Sequence, residues 1–115
     1  MTKNLISELS RAFETDCPPV HAVGIAPDEK VYVVAEIYEG YYPAMPEGER
    51  NRGYISTSIC ELVDKGSYCG LKFIENYRVK ARALAAFKRM ASEKDLICAS
   101  DQLKLNSLLN QHKAA

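Results

Sequence analysis

Val31-Tyr32-Val33-Val34-Ala35-Glu36-Ile37-Tyr38 is the run that most restricts what this chain can become. Branched and aromatic side chains lose rotamer freedom in a helix and fit a pleated surface, so the segment reads as a strand. A strand needs a neighbour, and Val20-His21-Ala22-Val23-Gly24-Ile25 supplies one. Between them stands Pro27-Asp28-Glu29. Proline presets φ, and the aspartate side chain bonds the backbone two residues on, which is turn chemistry. Residues 20–38 therefore predict an antiparallel hairpin.

The flanks read as helices. Leu5, Ile6, Leu9, Ala12 and Phe13 recur at helical spacing, so 3–14 predicts an amphipathic helix that Pro18-Pro19 ends. Gly40 to Gly53 is rich in turn formers and reads as a loop. Tyr54-Ile55-Ser56-Thr57 predicts a short third strand. Ser58 with Glu61 fits a capping box and Gly66 a helix stop, which places a short helix at 59–65. A long helix is expected over about 70–91, since neither Gly nor Pro follows Gly70 there. Ser92 with Asp95 offers another N-cap, and Leu103, Leu105, Leu108 and Leu109 mark a last helix over 101–112.

The resulting order, α-β-β-(β)-α-α-α, predicts an α+β fold with helices covering one face of a small three-stranded antiparallel sheet. At 115 residues the chain is expected to form a single domain, 1–115, with loop 40–53 and a C-terminal helical segment, 92–115. Such a sheet leaves its edges open, and self-association, most simply as a homodimer, covers them.

Fifteen acids balance fifteen bases, yet they are not mixed. Residues 1–49 hold nine acids against three bases, and 50–90 hold nine bases against three acids. A dipolar surface of this kind steers and orients charged partners. No apolar run is long enough to span a bilayer, and MTKNLISELSRAF carries acids and lacks the shape of a secretory signal, so the expected location is the cytoplasm. Cys17, Cys60, Cys69 and Cys98 are unevenly spaced with no CxxC, and His21 and His112 are the sole histidines, so neither a metal site nor a disulfide framework is expected.

On a helical wheel of 71–91, Arg78, Arg82 and Arg89 oppose an apolar face of Phe73, Ile74, Tyr77, Ala81, Leu84 and Phe87. Glu75 shares the basic sector and is placed to pair with Arg78. With Lys72, these residues make a cationic rail for phosphates or for an acidic protein surface, though such a stripe is also an ordinary solvated face. Arg78-Val79-Lys80-Ala81-Arg82-Ala83-Leu84-Ala85-Ala86 is similar to the last helix of the double-stranded RNA-binding domain, where basic residues precede an alanine pair. The element order up to residue 91 resembles that domain as well. The resemblance implies a nucleic-acid ligand for the helix. The family's Gly-rich, Lys-containing helix entry is absent here, with Glu75-Asn76-Tyr77 in its place.

Tyr32, Tyr38, Tyr41, Tyr42 and Tyr54 cluster around the hairpin and the loop after it. Tyr and Arg dominate binding hot spots, which makes Tyr41, Tyr42, Met45, Arg50 and Arg52 candidates for partner recognition. The competing reading folds Tyr41 and Tyr42 back over the core. Catalytic patterns are thin. Cys69 lies at the expected start of the long helix, where a dipole lowers a thiol pKa, but nothing else supports a nucleophile. His21 on a strand reads as a hydrogen-bonded sheet residue, and Glu36 with Glu39 as a solvent face. No phosphate-cradling glycine loop and no cofactor motif occurs. The sequence thus predicts a small non-enzymatic interaction or regulatory protein, of inhibitor or adaptor type, that self-associates or binds a protein partner. Nucleic-acid binding through Lys72, Arg78, Arg82 and Arg89 is the alternative.

Overall fold

The computed structural model describes residues 1–14, 19–38 and 54–114, the side chains of Tyr54 and of 112–114 excepted. Helix α1 (Lys3–Leu9) precedes strands β1 (Val20–Ile25), β2 (Val31–Tyr38), β3 (Tyr54–Asp64) and β4 (Cys69–Tyr77). Helix α2 (Lys80–Lys94), strand β5 (Ile97–Ala99) and helix α3 (Gln102–Ala114) complete the order. Every strand pairing is antiparallel, in the order β4-β3-β2-β1-β5. The class is α+β, as expected, but the sheet has five strands and not three.

Of the two additional strands, β4 lies where the long helix was expected and β5 within the segment read as helical, 92–115; β3 also runs on through the helix expected at 59–65. Residues 59–64 continue β3, and no helix starts at Ser58. The capping-box spacing is a local signal, and β3 is instead fixed by what it buries. Ile59 enters one core cluster while Cys60 and Leu62 enter another, so successive side chains serve opposite faces. A strand covered on both faces lacks the apolar–polar alternation that marks a half-buried one. Gly66 ends no helix. It turns the β3–β4 hairpin with φ of 96°, its N–H donates to Asp64 Oδ1 at 2.8 Å, and Lys65 N–H reaches the Tyr68 carbonyl at 2.8 Å.

Residues 69–77 are strand β4, so the long helix begins only at Lys80. Phe73, Ile74 and Tyr77 sit at spacing that suits a helix, yet they satisfy a strand once a bulge intervenes. Cys60 pairs with Phe73 and Ile59 with Glu75, leaving Ile74 as the extra residue. Ser92 lies inside α2, and Asp95 caps its C-terminus in the left-handed region at φ 55°. The N-terminal cap of α3 is Asp101, whose Oδ1 accepts from Lys104 N–H at 2.8 Å. Helix α1 is shorter than the expected 3–14 and starts with Thr2 Oγ1 accepting from Leu5 N–H.

Helices cover both faces of the sheet, where one face was expected. Leu5 and Leu9 of α1 join Leu105 and Leu109 of α3 over Val23, Ile25, Val31, Val33, Cys60 and Leu62. On the opposite face Ala83, Ala86 and Phe87 of α2 pack on Ala22, Tyr32, Val34 and Ile59. Gly24 admits the second layer, since a Cβ there would stand 2.9 Å from Leu96 Cδ1 and 3.0 Å from Phe87 Cζ. No described helix is long and apolar enough to cross a membrane.

Candidate functional site

The sheet has two edges that differ in kind. β5 is three residues long, which blunts it against pairing. β4 is nine residues long, and its middle, Lys72 to Asn76, is exposed throughout. Phe73 is 53% and Ile74 46% exposed, values that set this strand apart from the buried strands beside it. Among the described residues this edge therefore has no strand beside it, and it carries apolar side chains.

Faces along β4 follow from its register. Lys72 stands opposite Glu61, Glu75 opposite Ile59 and Tyr77 opposite Thr57, so all three point to the α2 side. Leu71 opposes Leu62, Phe73 opposes Cys60 and Asn76 opposes Ser58, so these point to the side that α1 and α3 cover. The bulge at Ile74 is what puts Lys72 and Glu75, three apart, on one face.

On the α1/α3 side, a groove of about 380 Å³ opens at this edge, lined by Ile37, Ile55, Ser56, Phe73, Asn76 and Arg78 among others. Its floor carries a hydroxyl chain. Ser56 and Ser58 are buried, their Oγ atoms lie 2.7 Å apart, and Ser58 Oγ donates to Asn76 Oδ1 at 2.6 Å. That direction makes Ser56 the donor to Ser58. Burying two hydroxyls is tolerable because both are satisfied, and the chain locks the amide of Asn76 at the exposed edge. Ile55, 53% exposed, forms the far lip.

The four basic residues are distributed over three elements. Lys72 is on β4, Arg78 lies in the link to α2, and Arg82 and Arg89 are exposed on α2. They do not form one helical rail, because the first third of the expected helix is a strand. The Arg89 charge nevertheless reaches Tyr77. The Glu75 carboxylate accepts the Tyr77 hydroxyl at 2.7 Å, which pushes the phenol pKa up, slight desolvation and the Glu75 charge add to this, and Arg89 draws it partly back. Glu75 is thus engaged with Tyr77, two residues on along the same strand and on the same face. Antiparallel pairing sets Lys72 opposite Glu61, and the Lys80 charge acts on Glu36.

Glu36 belongs to a second polar cluster. His21 is the extra residue of a bulge in β1, which turns its ring to Glu36 Oε1 at 2.8 Å, while Tyr38 donates to Glu36 Oε2 at 2.6 Å. Burial raises the Glu36 pKa, but hydrogen bonds from Tyr38 and His21 and the charges of His21 and Lys80 together hold it below the ordinary range. His21 is therefore the hydrogen-bonded sheet residue expected. A tethered ring and a carboxylate held ionised make a structural clasp, with no nucleophile among the contacts of the cluster.

The pKa of each described thiol is raised. Cys69 begins a strand and not a helix, so no dipole acts on it. Burial and the charges of Glu8 and Asp64 raise its pKa, and its Sγ lies 3.6 Å from the Asn4 carbonyl. Burial pushes Cys60 up to about 11 and also raises Cys98. Among the described residues no group of three or more His, Cys, Asp or Glu side chains is arranged to hold a metal ion. Tyr41, Tyr42, Met45, Arg50 and Arg52 lie outside the described residues, as do Cys17 and Glu39 and the His112 side chain.

Sequence reasoning missed the edge strand. The available signal was the pairing of Gly66 with a β-rich run, Leu71-Lys72-Phe73-Ile74, that alternates only if one residue is discounted. No family model, curated protein or solved structure matches this chain.

Proposed function

We propose that this is a small non-enzymatic interaction protein that takes up an extended segment of a protein partner along β4. The observation that carries this reading is the nine-residue edge strand whose exposed centre holds Phe73 and Ile74 beside an apolar-lipped groove. Strand addition suits such an edge: main-chain hydrogen bonds give affinity, and alternate side chains give selectivity. The incoming strand seats an apolar side chain between Phe73 and Ile55 and meets the Asn76 amide, which Ser58 holds in place. The loop residues Tyr41, Tyr42, Met45, Arg50 and Arg52 remain candidate contacts from their composition.

Photocrosslinking tests this. A photoreactive residue at Ile74 is expected to give protein adducts in cell extract, while the same residue at Lys104, exposed on α3 beside the opposite edge, gives few. Equal yields at the two positions, or adducts that vanish with nuclease, contradict the reading.

A second reading is nucleic-acid binding through α2. The feature favouring it is that no acid lies in the first turn of α2, and its N-cap, Val79, makes no side-chain cap, while Lys80 and Arg82 stand there. Cations at a helix N-terminus oppose the dipole, which is a local cost. Binding of duplex RNA or DNA at ~50 mM salt, falling steeply as salt rises and weakened by Arg82→Glu, is the expected signature. No binding at that salt dismisses it.

A further inference from the structure

Resting on the reading of β4 as a protein-binding edge, we infer that the strand it takes up is β4 of a second copy, in one register. The argument is self-complementarity. Two copies of an edge strand related by a two-fold axis perpendicular to the sheet run antiparallel and keep their faces aligned, so only residues on the same face stand opposite each other. An unbulged strand centred between two residues breaks this rule, because the residues brought together point to opposite faces. The extra residue Ile74 lifts the conflict.

Centring the axis between Phe73 and Ile74 sets Lys72 opposite Glu75 of the second copy, both on the α2 side. Gly70 then meets Tyr77 of the second copy on the same side, and Leu71 meets Asn76 on the other. Phe73 and Ile74 face each other at the centre. The pairing thus makes two opposite-charge contacts by symmetry, lays an aromatic ring over each edge glycine, and covers the two most apolar exposed residues of the strand. Lys72 and Glu75 act in both directions. They find partners in this register, while a parallel alignment places like charges together, which selects one arrangement over non-specific edge pairing.

The result is one continuous sheet with both copies of α2 on one face. Sedimentation velocity over a concentration series tests it. The wild type is expected to dimerise reversibly, and Lys72→Glu to raise the dissociation constant by ~10-fold or more, since it sets carboxylate against carboxylate twice. Glu75→Lys does the same with two ammonium groups. The double variant Lys72→Glu/Glu75→Lys restores affinity to within ~3-fold of wild type. Lys72→Glu also meets Glu61 within the chain, but equally so in the single and double variants, so recovery reports the contact between copies. Raising salt weakens the wild type and strengthens both single variants. A dimer indifferent to both single substitutions, or one that the double variant fails to recover, overturns the register. A monomer at ~1 mM overturns the second copy as partner. In that case, adducts at Ile74 with another protein leave the protein-binding edge standing, and their absence removes both.

Discussion

The contact between Gly24 and the α2 layer makes a quantitative prediction. Gly24 lies in β1, and a methyl added there would stand 2.9 Å from Leu96 Cδ1, 3.0 Å from Phe87 Cζ and 3.3 Å from Leu96 Cβ. Overpacking of this kind costs ~1–3 kcal/mol, and the loss of glycine's freedom in the unfolded chain returns ~0.4–1, so Gly24→Ala is expected to destabilise by about 1–2 kcal/mol. Phe87 is buried in the cluster formed with Ala22, Val34 and Ile59, so Phe87→Ala leaves a cavity and costs ~3–5 kcal/mol. In the Phe87→Ala background the added methyl enters that cavity and Leu96 is free to shift. Gly24→Ala should then be neutral or stabilising, by up to ~0.8 kcal/mol for one buried carbon. The coupling is therefore ~1–3 kcal/mol, read from urea unfolding by circular dichroism at one low protein concentration with equal slopes. If the two substitutions add to within ~0.5 kcal/mol, Gly24 does not set the α2 layer's distance and the close-approach argument fails.

Three further expectations follow. Gly66→Ala, in open space at φ 96°, introduces no clash but strains the backbone, so it should cost ~1 kcal/mol in the same unfolding assay; no cost means the turn is not held left-handed. Glu36 has a lowered folded pKa, so its contribution to stability is present above the ordinary carboxylate range and is lost as pH falls through the folded value. Glu36→Gln should therefore narrow the stability difference between neutral and acidic pH, and an unchanged pH profile contradicts the clasp with His21 and Tyr38. Cys60 should resist a thiol reagent near neutral pH until the protein unfolds, because burial keeps its thiol protonated, and fast labelling in the native state contradicts its place in the core.

The elements legible in the sequence are those with one signal. The hairpin at 20–38 was plain because β-branched runs flank a proline–aspartate turn, and α3 because its leucines keep a helical period. The middle of the chain carried two signals at once. Ser58-Glu61 imitates a cap, while Ile59, Cys60 and Leu62 divide between two cores and so show no alternation. The run from Leu71 to Tyr77 hid a strand because the extra residue Ile74 moved its apolar positions onto helical spacing. The same bulge hid the candidate site, since the face shared by Lys72 and Glu75 does not exist without it. Of the basic residues, Arg82 and Arg89 lie on a helix as expected, while Lys72 and Arg78 do not.

Amide hydrogen exchange of β4 across a protein concentration series tests the account most directly. If β4 is the edge that pairs, exchange within residues 69–77 slows as concentration rises, while exchange in β5, at the opposite edge, stays constant. Protection that stays flat in β4, or that grows in β5 instead, contradicts it.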